Sequence, residues 1–366
     1  MAHPLAKEDI EETQGAHPTV TLPRPFAYPW RRLSLGAGAV VAIALLAATQ
    51  GAVGIPLLEV AKIVLSRLPG VELSQTWPQS WDTIIWQIRL PRVVVAGLVG
   101  AALAMSGAMY QGLFRNPLAD PYLIGVAAGA GLGATIIFIS PIPVYWGAFS
   151  LVTPAAFVTA LAAVTLAYLL ARIGGVASTT TLILAGVAIA SIAAAGTTLL
   201  LMTSNEDVRP VLSWLLGSFA SASWRQIPLL LPYLVPSLLV ALAYGRILNV
   251  MQLDEEQARQ LGVPVERVKL LLVASASLAT AAAVSVSGLI GFVGLIAPHA
   301  VRLLWGHDYR SLVPMAMLMG AGFLILADLV ARISLRPGEL PVGVVTAFVG
   351  APFFLYLLRQ RKGGAF

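Results

Sequence analysis

The chain has 366 residues, of which 58% are hydrophobic and 11% charged, with a mean hydropathy of +0.84. A soluble domain carries about 25% charged residues, so a soluble globular enzyme is excluded and most of the chain belongs in lipid or in a lipid-embedded core. The net charge is +6, and the absence of cysteine excludes disulfides, thiolate metal sites and cysteine nucleophiles.

In chain order, residues 1–30 are polar and proline-bearing, the composition of a disordered tail. Arg31-Arg32, an apolar run and Ala47-Ala48 could pass for a signal peptide. The leader is too long and the run is of span length, so an uncleaved first helix is expected. Spans of about 20 apolar residues are predicted at 34–55, 92–114, 121–140, 147–171, 181–203, 227–248, 268–287, 290–305, 311–331 and 341–359, the third and eighth being short. After the tail, residues 31–366 form one transmembrane domain. Leu58 to Val64 is amphipathic and reads as an interfacial helix. Most Lys and Arg fall on the side that holds both termini and the loop at about 250–268, which places that side in the cytoplasm. That distribution accounts for the positive balance as membrane topology and gives no reason to expect nucleic acid.

The chemistry a catalytic chain would need is missing. There is no Gly-x-x-x-x-Gly-Lys-Ser/Thr, no His-Glu-x-x-His and no Gly-x-Ser-x-Gly. His299 and His307 lack a third ligand, so no metal site is expected. Asp328 is the main ionisable residue within a span, and Arg332 one turn later offers a local partner. A chain without coupling charges must borrow energy or conduct passively.

One polar break interrupts the apolar runs: Arg115-Asn116-Pro117-Leu118-Ala119-Asp120-Pro121. Its prolines and Asn stop a helix and turn the chain, and its charges belong at a membrane face. Gly107 to Phe114, with Gln111, precedes it, and Leu123-Ile124-Gly125 follows. The whole string resembles the signature of the FecCD/BtuC-like permease subunits of ABC importers for iron-siderophores, haem and cobalamin. Trp214-Leu215-Leu216-Gly217, Gly288 to His299, Asp328 to Arg332 and Glu339 to Ala347 extend the resemblance over about residues 80–360.

The resemblance implies an all-α polytopic permease fold of the vitamin B12-transporter type, with about ten transmembrane helices. It implies a prokaryotic inner membrane, a second copy of the chain, two ATPase subunits carrying ATP and Mg, and a periplasmic or lipid-anchored binding protein. No cofactor is expected on this chain. The cargo class is a bulky metal chelate, with iron-siderophore or haem placed ahead of a corrinoid because such members are commoner. Departures at Tyr110, Tyr122 and Pro141 to Ser150 leave the cargo open. A secondary transporter or channel working alone is the alternative class.

Three sets of residues take roles from the same resemblance. In the loop at 250–268, Asp254 and Gln257 read as a capping box and Gly262 as a helix C′ residue followed by Pro264. Asp254, Glu255, Gln257, Arg259, Leu261, Gly262 and Val263 would then dock into the ATPase; an ordinary solvated loop is the simpler reading. Thr179 and Thr180 match small hydroxyl residues that narrow a cytoplasmic gate, although Thr179 could also cap its helix. Arg89, Arg92 and Arg332 match arginines that pair with glutamates of the binding protein, with snorkelling at the lipid interface as the alternative for such residues.

Overall fold

Proline, glycine and short polar breaks cut the apolar sequence into rods. A computed structural model describes residues 28–361 apart from 52, 68, 72, 148, 173–177 and 336–337. The expected tail therefore lies outside the described residues as far as residue 27. The chain begins with α1 (Trp30–Thr49) and α2 (Leu57–Leu65). Next, α3 (Gln79–Thr83) continues through a π-helical turn at Ile84–Arg89 into α4 (Leu90–Leu113), one apolar rod of 35 residues. Pro91 cannot donate to the carbonyl four residues back, and the backbone just before it widens into the π turn.

A 3₁₀ turn at Pro121–Ile124 leads into α5 (Val126–Ile139), and a small antiparallel hairpin pairs β1 (Tyr145–Trp146) with β2 (Phe149–Ser150). The remaining helices are α6 (Val152–Ala171), α7 (Thr179–Thr203), α8 (Arg209–Leu215), α9 (Gln226–Ala243), α10 (Gly245–Val250), α11 (Glu255–Gln260), α12 (Val265–Ser287), α13 (Val293–Trp305), α14 (Tyr309–Ser334) and α15 (Val342–Arg361). Seven helical rods are long and apolar enough to cross a membrane, and α5, α13 and α15 are shorter apolar helices. Together they coincide with the ten expected spans to within a few residues at most ends.

Burial sorts these helices into a centre and a periphery. The most apolar stretches of α4 and α12 are each 78% buried, while those of α1 and α7 are 17% buried. The exposed faces carry Val41 and Leu46 on α1 and Leu184, Ile192, Leu199 and Met202 on α7, which suits lipid or a second chain and not water. In the centre, α4 packs on α12, α13 and α14. Gly107 of α4 lies directly on the backbone carbonyl of Gly294, a contact that any side chain would prevent. Ser106 Oγ donates to the Ala276 carbonyl at 3.0 Å, and Tyr110 Oη bonds Ser277 Oγ at 2.6 Å.

The two shortest spans are helical over only part of their length. At 1.5 Å per residue, α5 and α13 are about 20 Å long against a hydrocarbon core of about 30 Å. Gly294, at the start of α13, backs onto the carbonyl of Leu103 and the ring of Pro121. Leu103 lies roughly 15 Å before the end of α4. The polar break therefore begins at a membrane face at Arg115 but folds back into the protein by Pro121, a correction to the expectation that the whole break lies at the face. Unpaired backbone is tolerated at such depth only where protein surrounds it. Beside the break, Asn249 of α10 and the start of α14 are tied reciprocally: Asn249 Nδ2 donates to Asp308 at 2.7 Å, and the Tyr309 amide donates to Asn249 Oδ1 at 2.8 Å. Burial would push the Asp308 carboxyl up, but hydrogen bonds from Arg310 and Asn249 outweigh it and hold it below the ordinary value.

Candidate coupling and gating site

The short helix α11 is defined at both ends. Asp254 is extended, and its carboxylate accepts the Gln257 amide at 2.7 Å. At the other end the Val263 amide reaches the Ala258 carbonyl at 3.1 Å and the Gly262 amide reaches Arg259 at 2.8 Å. This is a Schellman motif, with Gly262 left-handed at φ +83. No atom would lie within 4 Å of a Cβ there, so the demand for glycine is one of backbone conformation alone. Ion pairs hold α11 to α12. Lys269 of α12 is buried, with Nζ 2.7 Å from Glu255 and 3.6 Å from Glu266. Arg259 lies 3.5 Å from Glu266. Asp254, Gln257, Leu261 and Gly262 face outward, and Leu261 is 64% exposed, an apolar tip on a charged helix. Lys269 escaped the sequence reading; a lysine three residues after Glu266 was its one available signal.

The polar break sits against this helix. The end of α4 is a second Schellman motif: the Asn116 amide bonds the Gln111 carbonyl at 3.2 Å and the Arg115 amide bonds Gly112 at 3.4 Å. Arg115 takes the left-handed position at φ +51, which is uncommon without glycine. Its guanidinium donates to the Leu253 carbonyl at 3.2 Å, and Gln252 Nε2 donates to the Gly112 carbonyl at 2.9 Å. Asn116 Oδ1 accepts the Leu118 amide across Pro117 at 2.9 Å, and Asp120 Oδ1 caps the 3₁₀ turn through the Tyr122 amide at 2.8 Å. Deeper in, Tyr122 Oη donates to the Ile290 carbonyl at 2.9 Å and accepts the Ile290 amide at 3.1 Å. Gln111 Nε2 donates to the Gly294 carbonyl at 3.0 Å. Gln111 and Tyr122, which flank the break, thus satisfy backbone groups between α12 and α13 and in the first turn of α13.

The far end of the break touches α7. Gly186 packs on the backbone of Leu123 and Ile124, where a Cβ would stand 2.6 Å from each. Thr179 and Thr180 open α7 about two turns earlier, the first half-buried and the second exposed. The cap is Ser178, whose Oγ accepts the Thr181 amide at 3.1 Å, so capping by Thr179 is corrected by one residue. A continuous line of contacts therefore runs from α11 through Leu253, Arg115 and the 3₁₀ turn to α7. Its ends are the predicted coupling loop and Gly186 of α7, about two turns from the predicted gate residues Thr179 and Thr180.

The three arginines expected at the opposite mouth are not presented to a partner. Arg89 is buried and donates to the carbonyls of Ala48 at 2.7 Å, Thr49 at 3.0 Å and Val53, so it serves the end of α1. Arg92 lies 2.8 Å from Asp328 and 2.9 Å from Glu339. Arg332 lies 3.1 Å from Asp328 and also donates to the carbonyls of Ala47 and Gln50. All three are at least nine-tenths buried, which removes both the docking and the snorkelling reading. The local Asp328–Arg332 pair is present, but Arg92, 236 residues away in sequence, shares the same carboxylate. The cations left exposed on that face include Arg225 and Arg209, the latter beside Asp207 at 3.2 Å.

Comparison with known proteins decides the family. The model of the FecCD transport family matches residues 39–360. The chain belongs to the FecCD transport family. This FecCD permease is 48% identical over 285 residues to the cobalamin import system permease protein BtuC of Halobacterium salinarum, covering 78% of this chain and 76% of the relative. It is 40% identical over 294 residues to the hemin transport system permease protein HmuU of Yersinia pestis, covering 78% and 87%. Its fold matches an ABC transporter described as metal-chelate type, solved in an inward-facing conformation, with a TM-score of 0.78 and 31% identity over 90% of this chain and 99% of that one. As a FecCD permease the chain is a membrane-spanning transport subunit of an ABC importer.

Proposed function

We propose that this FecCD permease admits a bulky metal chelate, a corrinoid before haem, from an external binding protein into the cytoplasm. The cobalamin permease of Halobacterium salinarum is 48% identical and the hemin permease of Yersinia pestis 40%, which moves the weight from the iron chelate or haem favoured on commonness toward a corrinoid. Haem stays as the second reading on the strength of that 40% relative. The observation that carries the mechanism is the unbroken contact from α11 to α7. A push on exposed Leu261 and Gln257 has a physical route to the first turns of α7.

Two copies of the chain, with two ATPase subunits beneath, would form one pathway. The sparsely buried face of α7 would lie toward the second copy, and Thr179 and Thr180 would narrow the gate without a fixed charge to trap an anionic cargo. ATP and Mg belong to the ATPase, and residues 31–366 act as one membrane domain with no cofactor of their own. Positive-inside counting puts α11 and both termini in the cytoplasm. With Arg89, Arg92 and Arg332 buried, capture of the binding protein falls to exposed cations such as Arg209.

The test is reconstitution in proteoliposomes with the ATPase and binding protein of the same transport system. Uptake of cobalamin, hemin and a ferric siderophore is measured with and without ATP. Uptake of cobalamin that requires ATP and both partners is the expected result. Uptake without ATP that follows the membrane potential would overturn the ABC mechanism, and exclusive uptake of hemin or of the siderophore would overturn the corrinoid assignment.

A further inference from the structure

On the face opposite α11, α6 and α9 both pack on α12, yet a half-open cavity of about 610 Å³ lies between their ends. Small residues make the space: Ala282 and Ser285 of α12 form part of its floor, with Val286 beside them. Phe157 of α6 and Tyr233 of α9 meet below, ring centroids 4.5 Å apart, and close the gap toward the membrane centre. The hairpin at Tyr145 and Phe149 contributes to the top, and Trp214 of α8 forms another wall. No residue of α7 is among the described lining, so the cavity does not lie on the face assigned to the gate. It also stands apart from the coupling residues at the other end of α12.

Its chemistry is that of an amphipathic ligand. Arg225 is the one cation among the described lining residues, and it forms no ion pair with a described residue. Ser221 and Ser223 add hydroxyls at the same level, while Leu229, Leu230 and Val286 supply an apolar bed. The flanking helices expose Val158 and Leu166 on α6 and Val235 and Leu239 on α9, surfaces that belong against acyl chains. A negative group for Arg225 and an apolar body below it describe a membrane phospholipid.

We propose that this cavity is a binding site for a phospholipid, its phosphate on Arg225 and its upper chain over Leu229 and Val286. With the orientation proposed above the lipid comes from the outer leaflet. The reverse orientation would change the leaflet and leave the site's chemistry intact. Cargo in this cavity is the competing occupant, and the experiment separates the two.

The full chain is purified in detergent, delipidated and titrated with phosphatidylethanolamine, phosphatidylglycerol or diacylglycerol, with retained lipid counted by native mass spectrometry. The expected result is one tightly held phospholipid per chain. Arg225→Gln should weaken both phospholipids about five-fold, the effect of about one charge near a membrane surface, and leave diacylglycerol unchanged. Leu229→Trp, at a position already 46% exposed and so able to accept the larger ring, should remove the retained phospholipid. Equal phospholipid retention by either variant overturns the proposal. So does full competition by inorganic phosphate, which would leave the chain no role, or displacement of the lipid by cobalamin or hemin, which would give the cavity to cargo. None of these readouts depends on ATP-driven transport, so failure here is distinct from failure of the proposed importer mechanism.

Discussion

Two charged clusters lie at opposite ends of this permease and are built differently. At one end, Arg92, Asp328, Arg332 and Glu339 join α4, α14 and the segment before α15, while Arg89 and Arg332 hold the last carbonyls of α1. The arginine forks bind carboxylates and backbone together in a buried setting. At the other end, Lys269 and Arg259 hold the six-residue α11 to α12 through Glu255 and Glu266, whose side chains are partly exposed. A planar guanidinium fixes direction, whereas a lysine on a flexible stem does not. The first cluster is suited to holding long helices still. The second is suited to letting a small helix move while remaining attached. That difference matches a scaffold at one end and a coupling element at the other.

The comparison breaks most sharply at Asp328. Asp328→Ala leaves Arg92 and Arg332 buried together, and loss of one partner from such a group costs about 3–5 kcal/mol. The variant should unfold at markedly lower temperature in detergent; wild-type thermal stability would show that the cluster is not structural. Lys269→Met is the matching change at the other end. It gives up charge-assisted hydrogen bonds of about 1.5–3 kcal/mol, most of which should appear as ATP hydrolysis uncoupled from transport. Pairing Lys269→Glu with Glu255→Lys should restore part of the coupling, whereas a purely packing role would give no restoration.

Gly262→Val places a β-branched residue at φ +83 and should cost about 1–2 kcal/mol. With open space around the position, that strain should fall on the docking turn, so transport should drop while the membrane fold persists. Full transport in proteoliposomes would remove the docking role from this turn. The smallest stability effect is expected for Arg115→Gly. Relief of the left-handed strain, about 1 kcal/mol, offsets a lost hydrogen bond of about 1 kcal/mol. Melting should barely change, but transport per ATP should fall because the contact with Leu253 is gone.

The sequence made some of this readable and hid the rest for physical reasons. Both ends of α11 could be read because capping is local: Asp254 and Gln257 are three residues apart, and a left-handed C′ position asks for glycine. Span positions followed from apolar run length. Depth did not, because nothing in the run from Tyr122 to Ile139 reveals that its start is folded back against Gly294. The arginines at 89, 92 and 332 were misread because Arg89 and Arg92 find their acceptors on other helices, and Arg332 finds only Asp328 on its own. No periodicity reports such contacts. The cap of α7 is Ser178 and not Thr179, a one-residue difference within the usual uncertainty of a helix end.

The central claim is that a push on α11 reaches α7 through the break at 115–125. The chain has no native cysteine, so Thr180→Cys gives a single spin-label site in each copy. The distance between the two labels is measured by electron paramagnetic resonance in the assembled importer, with and without a non-hydrolysable ATP analogue. The account predicts a shift in the parent that is lost when Arg115→Ala and Gln252→Ala cut the links to Leu253 and Gly112. The same shift in the linked and unlinked proteins would contradict it.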